Sequence, residues 1–302
     1  MKTKSLLFLL FITFSVFSQN GKIQSKKHLD LSKFKFWKTF TKEDGTLKEK
    51  YKHLDKIDFH VISYKSDEHI VSGIIAEPKK EGKFPVIIFN RGGNKEIGNR
   101  AKMKTLFSMI HASSKLVQEG YIVIASCYRE QDEFGGNDIN DVLYLTETVK
   151  EIDKADSDKI GMFGWSRGGM MTYLSLKMSD KIKTAVVGNG VSDLKETIQE
   201  RPMMEAKVYA LLIPDYFKNK EQELKNRSVI HWTEELNKES NLLILYGTKD
   251  KRVNPKQAEI LAEKLREINY NFEIKKFDTD HKFSGKDEEL NTILIQWFKE
   301  NL

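Results

Sequence analysis

Apolar residues along this chain fall into two alternating rhythms. Continuous runs read as strands buried on both faces: Val86-Ile87-Ile88-Phe89, Tyr121-Ile122-Val123-Ile124-Ala125, residues 160–163, Thr184-Ala185-Val186-Val187, Leu242-Leu243-Ile244-Leu245-Tyr246 and residues 272–277. Between them, apolar residues recur at helical spacing. One such face is Met103, Leu106, Phe107, Ile110 and Val117, closed by Gly120; a second is Ile139, Val142, Leu143, Thr146 and Val149. A third is Ala258, Leu261, Ala262, Leu265 and Ile268, and the last is Leu290, Ile293, Leu294, Trp297 and Phe298. Strand alternating with amphipathic helix predicts an α/β fold, with a mostly parallel central sheet flanked by helices.

Three stretches depart from this rhythm. Residues 59–64 and 70–76 are strand-like runs joined by a polar turn, which predicts an antiparallel hairpin opening the sheet. Before it, residues 19–56 are polar and lysine-rich apart from Phe34, Phe36, Trp37 and Phe40, and are expected to form a lead-in packed on the domain edge. Residues 191–240 are rich in helix formers and interrupt the alternation, which predicts a helical cap inserted into a catalytic domain over 57–302.

Composition and charge narrow the possibilities. Of 302 residues, 39% are hydrophobic and 31% charged, enough for a core with a solvated surface and no signature of disorder. The chain starts with Lys2 and Lys4 and continues with an apolar run over 6–18, in which Val16 and Ser18 suit the −3 and −1 positions of a cleavage site. Residues 1–18 are therefore expected to be a signal peptide, too short to span a bilayer, and the mature protein to be secreted or periplasmic without stable membrane insertion. Cleavage lowers the net charge from +6 to +4. The lysines are interleaved with Asp and Glu, which does not resemble a nucleic-acid footprint. Cys127 is the only cysteine, which excludes an internal disulfide, and neither zinc-ligand spacing nor a phosphate-binding Gly-Lys-Ser loop is present, so no metal or cofactor is expected.

The candidate chemistry centres on Gly164-Trp165-Ser166-Arg167-Gly168-Gly169, which follows one of the apolar runs. A Gly-Xaa-Ser-Xaa-Gly turn between strand and helix is the pattern of a nucleophile elbow, which lifts a serine hydroxyl above the sheet. Asp250 follows the run 242–246, and His281 follows the run 272–277. Both thus lie at carboxyl ends of predicted strands, where α/β sheets collect functional groups. Serine, acid and histidine in this order match the α/β-hydrolase fold, with His281 as base and Asp250 holding it in one tautomer. Asp278 and Asp280 lie so close to His281 that they would have to fold back to orient it, which favours Asp250. For the oxyanion, one donor is expected from the Arg167 amide and a second from Asn90-Arg91-Gly92-Gly93-Asn94, either a main-chain amide such as that of Gly92 or the Arg91 guanidinium. Trp165 and Arg201 are candidate substrate-binding residues, and Arg91 and Arg201 together are candidates to hold a substrate carboxylate.

The elbow, the segment Gly247-Thr248-Lys249-Asp250-Lys251-Arg252-Val253 and the Asp280-His281 pair together resemble the catalytic domain of the prolyl oligopeptidase family of serine peptidases, over roughly residues 58–302. The resemblance implies an acyl-enzyme on Ser166, with Asp250 as acid and His281 as base. Two features depart from the family pattern: at most some forty mature residues stand before the first strand, where a β-propeller is expected, and Arg91 stands where a tyrosine is common. Three readings follow. Short peptides are favoured by the resemblance and small carboxylic esters by the missing propeller and the cap, while a noncatalytic ligand-binding protein is the alternative from another class.

Overall fold

The computed structural model describes residues 19–302, so the expected signal peptide lies outside the described residues. Among the described residues, nine strands form one sheet: β1 (Ile23–His28), β2 (Ile57–Ser66), β3 (His69–Pro78), β4 (Phe84–Asn90), β5 (Ile122–Ser126), β6 (Ala155–Trp165), β7 (Ile182–Gly188), β8 (Asn241–Gly247) and β9 (Phe272–Phe277). They lie in the order β1-β2-β3-β5-β4-β6-β7-β8-β9. The pairs β1–β2, β2–β3 and β3–β5 are antiparallel, and every pair from β5 onward is parallel. Crossover helices cover both faces, as parallel connections require.

Register explains why the central strands read as unbroken apolar runs. The paired row Ile124, Ile88, Met162, Ala185 and Leu242 faces one core, and the neighbouring row Phe89, Phe163, Val186 and Leu243 faces the other. Every central position is therefore buried whichever way it points. Beneath the elbow strand, Phe298 of the helix Asp287–Asn301 packs so closely on Gly161 that a Cβ there would lie 2.9 Å from its ring.

The structure differs from expectation in two places. The lead-in lies at the domain edge as expected but includes an unforeseen strand, because Ile23–His28 pairs along β2 and extends the sheet. Its sequence, Ile-Gln-Ser-Lys-Lys-His, carries almost no apolar alternation, since an outermost strand needs little burial and its lysines discourage further pairing. The second is the helix expected around residues 139–149, which is broken into short turns and helical pieces between Asn137 and Glu151. Tyr64 Oη donates to the Asp141 carbonyl at 2.6 Å, the carbonyl that a continuous helix would offer to Leu145. Between β7 and β8 the chain is helical, with Leu194–Glu200 and Tyr216–Asn226 as its longest helices.

The rest of the lead-in packs beneath the helix Gly98–Gln118. Phe40 is fully buried there, and His53 Nε2 lies 2.8 Å from Ser114 Oγ. Ser114 already donates to the Ile110 carbonyl, so His53 donates through Nε2 and stays neutral. Burial pushes its pKa down from 6.5 to about 4. A folded-state pKa below the unfolded one gives stability that is complete above about pH 6.5 and is lost as pH falls towards 4. The urea midpoint of the wild type should therefore drop more between pH 7 and pH 4.5 than that of His53→Gln. Equal drops would mean that His53 takes no part in the acid response.

Candidate active site

The elbow is built from steric necessity. Ser166 adopts φ 56° and ψ −119°, a backbone state that side-chain-bearing residues rarely occupy, and the helix Arg167–Met178 starts directly after it. A Cβ on Gly164 would stand 2.2 Å from the Gly168 carbonyl oxygen, and one on Gly168 would stand 1.8 Å from that of Asn90. No other residue fits at either position. The strained peptide is clamped from both sides, with Ser166 N–H donating to the Gly188 carbonyl at 2.9 Å and the Ser166 carbonyl accepting from Gly169 N–H at 2.9 Å.

The acid–histidine pair stands in the loops after β8 and β9. His281 Nδ1 is 2.6 Å from Asp250 Oδ2, and both residues are buried. Asp250 Oδ1 accepts from the backbone N–H groups of Arg252 at 2.7 Å and Val253 at 3.1 Å, which fixes the orientation of the carboxylate. A carboxylate accepts only, so Nδ1 carries the proton and leaves Nε2 as the basic nitrogen. The two nearer aspartates are engaged elsewhere. Asp278 pairs with Lys249 at 2.9 Å, and Asp280 accepts from Lys282 N–H and Ser284 N–H within its own turn.

Two residues that the sequence reading passed over hold the histidine loop. Asn189, at φ 45°, donates from Nδ2 to the His281 carbonyl at 3.0 Å and accepts at Oδ1 from Gly247 N–H at 2.9 Å. It thus ties the ends of β7, β8 and β9 together. Gly247 lies flat against the same loop, where a Cβ would meet the Thr279 and Asp280 carbonyl oxygens at 2.6 and 2.8 Å. A glycine closing a strand and an asparagine following one are signals too common to single out from sequence.

Gly92 reaches the serine from the loop after β4: a Cβ there would lie 2.9 Å from the Trp165 carbonyl oxygen and 3.1 Å from Ser166 Cβ. Its amide donates to no acceptor among the described residues, and the Arg167 amide, first in its helix, has no intrahelical acceptor. Two free N–H groups thus flank Ser166.

The expectation for the Arg91 guanidinium is corrected. Arg91 is fully buried, with Nε donating to Thr105 Oγ1 at 3.0 Å, Nη1 to the Gly92 carbonyl and Nη2 to the Cys127 carbonyl, both at 3.2 Å. It faces the interior and is available neither to an oxyanion nor to a substrate carboxylate. Trp165 has a supporting place: its indole N–H donates to the His281 carbonyl at 3.2 Å, and its ring packs against Phe163 and Phe283. The Arg201 side chain is half-buried and donates to the Arg252 carbonyl at 3.2 Å, beside the loop that carries Asp250.

A nine-stranded sheet of this order, with an elbow serine and an aspartate–histidine pair at its carboxyl edge, defines a serine hydrolase of the α/β-hydrolase fold. The chain belongs to the prolyl oligopeptidase family, whose model matches residues 112–302. It is 26% identical over 253 residues to the uncharacterized peptidase YtmA of Bacillus subtilis, covering 80% of this chain and 94% of that one. Among solved structures, the acylaminoacyl peptidase of Pyrococcus horikoshii superposes with a TM-score of 0.66 at 19% identity, covering 82% of this chain. This chain spans only 42% of that longer peptidase. A Klebsiella pneumoniae protein described as a dienelactone hydrolase superposes with a TM-score of 0.58 at 18% identity, covering 81% of this chain and 99% of that one. At such identities the structural likenesses show the fold.

Gly247→Ala should move the histidine loop, because the two contacts its methyl would make are with backbone oxygens that cannot rotate away. Misplacing a catalytic group by about 1 Å costs on the order of 10²-fold. Steady-state kinetics should show kcat reduced by roughly that factor; unchanged kcat would mean that the loop absorbs the methyl without moving His281.

Proposed function

We propose that this protein hydrolyses short peptides through an acyl-enzyme on Ser166. The observation that carries this reading is the 2.6 Å contact of His281 Nδ1 with Asp250 Oδ2, in a chain whose elbow serine is held at positive φ. Ser166 Oγ attacks the substrate carbonyl carbon and gives its proton to His281 Nε2. The carbonyl oxygen becomes an oxyanion that accepts from the Arg167 and Gly92 amides. Collapse breaks the bond to the leaving amine, which takes the proton back from His281. Water then repeats the sequence on the acyl-enzyme and frees Ser166. Asp250 keeps Nε2 facing the reaction and stabilises the imidazolium that forms.

Membership of a peptidase family and likeness to a relative described as a peptidase favour amide over ester substrates. A cavity of about 450 Å³ lies beside the loop after β4, between residues 94–100 and the helical insertion. Ile97, Val208, Leu211 and Leu212 give it apolar walls, and Lys95, Arg100 and Lys207 stand at it with Glu96, which is itself paired with Lys104 and Arg100. Such a site suits an apolar side chain next to a carboxylate. The basic start and apolar run of residues 1–18 support export to a secreted or periplasmic location. Among the described residues, no helix is long and apolar enough to cross a membrane.

Ser166→Ala should lower kcat by roughly 10³ to 10⁶ and abolish labelling by a fluorophosphonate. A matched panel of alanine- and proline-ending peptide anilides and p-nitrophenyl esters tests the substrate class. Higher kcat/KM on the anilides supports the peptide reading. Turnover of esters alone would replace it with a carboxylesterase, and labelling without turnover of either would remove both classes.

A further inference from the structure

The loop between β5 and the turn Asn137–Ile139 carries a buried cluster that the hydrolytic cycle does not itself use. Tyr128 is buried at φ 61°, and both the Arg91 and Arg167 guanidinium groups lie over its ring, 4.9 and 5.0 Å from the centroid. Arg167 donates twice to Asp132, with both contacts at 2.7 Å, and once to Asp138 at 2.9 Å. Its guanidinium also lies 4.5 Å from the Phe134 ring centroid. The two carboxylates are themselves fixed, Asp132 accepting from Phe134 N–H at 2.8 Å and Asp138 from Gly135 N–H at 2.9 Å. Burial pushes the Asp138 pKa up to about 6 against the pull of Arg167. Burying such charges is costly, and an apolar cluster of similar volume is often as stable, so stability alone is a poor reason for this arrangement.

The cluster touches both sources of free amides next to Ser166. Arg167 is the residue whose backbone N–H starts the elbow helix, and its side chain is bolted to Asp132 and Asp138. Tyr128 Oη donates to the Arg91 carbonyl at 3.2 Å. That carbonyl belongs to the same peptide unit as the Gly92 amide. The unit is trans, and in a trans peptide N–H and C=O point in opposite directions. A hydroxyl that holds the carbonyl on one side therefore sets the direction of the N–H on the other.

We propose that Tyr128 is a positioning residue, held by the Arg167–Asp132–Asp138 cluster, that aligns the Gly92 and Arg167 amides as the two halves of one oxyanion hole. The two donors come from separate elements, the loop after β4 and the helix after β6, and the loop after β5 is the brace between them. This inference rests on the proposed acyl-transfer reading, and the test separates the two.

Tyr128→Phe removes only the hydroxyl and leaves the ring under both guanidinium groups. The donors act on a charge that exists only in the transition state, so kcat should fall about tenfold or more while KM changes by less than about twofold. The affinity for a peptidyl trifluoromethyl ketone, which forms the same tetrahedral oxyanion, should fall by the same factor. Asp132→Asn should do likewise. The control is Tyr270→Phe, which deletes a comparable tyrosine hydrogen bond, to the Asn237 carbonyl at 2.9 Å, away from the serine. It should lower the melting temperature without changing kcat or ketone affinity. If Tyr128→Phe behaves as Tyr270→Phe does, or raises KM alone, the inference is overturned. When Ser166→Ala is inactive and Tyr128→Phe is silent, only the positioning role is lost; full activity in Ser166→Ala removes the reading beneath it.

Discussion

One strained residue organises the molecule. Ser166 can stand at φ 56° only because Gly164 and Gly168 leave room for strand and helix to meet without side chains, and because hydrogen bonds hold its peptide on both sides. A non-glycine residue in such a state costs about 1–3 kcal/mol and persists only where the surroundings over-determine it. Here the surroundings are two cores, one on each face of a sheet in which neighbouring strands bury opposite rows of residues. The strain gives the site its geometry: the hydroxyl stands clear of the sheet edge, and the next residue opens a helix with its amide unspent.

The other groups reach Ser166 through strand ends that are tied to one another. Asn189 links the ends of β7, β8 and β9, and Trp165 donates to the same His281 carbonyl, so the histidine loop is referenced to the elbow from two directions. Asp250 is oriented by two backbone amides on one oxygen and spends the other on His281. On the far side of the serine, Tyr128 and Arg167 bring a buried, charge-balanced cluster against the loop after β4 and the elbow helix. These contacts make the site a property of the elbow and five further loops.

The parts legible in the sequence were those with local causes. Buried parallel strands need unbroken apolar runs, and crossover helices need a 3.6-residue rhythm, so the α/β class and most elements could be read directly. The edge strand Ile23–His28 was not legible, because an outermost strand has no second neighbour and little to bury. The break in the helix near residue 141 was hidden for another reason: it follows a hydrogen bond from Tyr64, 77 residues away in the chain. Arg91 was misread because an arginine in a glycine-rich loop looks exposed, and only the fold shows Thr105 and the Cys127 carbonyl waiting for its guanidinium inside.

By itself, then, the sequence determined the strand–helix alternation, the elbow and the order of serine, acid and histidine, because each is written in residues close together or in a fixed chain order. The tertiary structure decided which arginines face inward and which amides remain free beside Ser166. Those outcomes depend on register between strand ends and on loops that meet across the sheet edge. Chain spacing favoured Asp250 over Asp278, and the contact itself forms because β8 and β9 end side by side, with Asp278 turned to a surface lysine and Asp250 to the histidine.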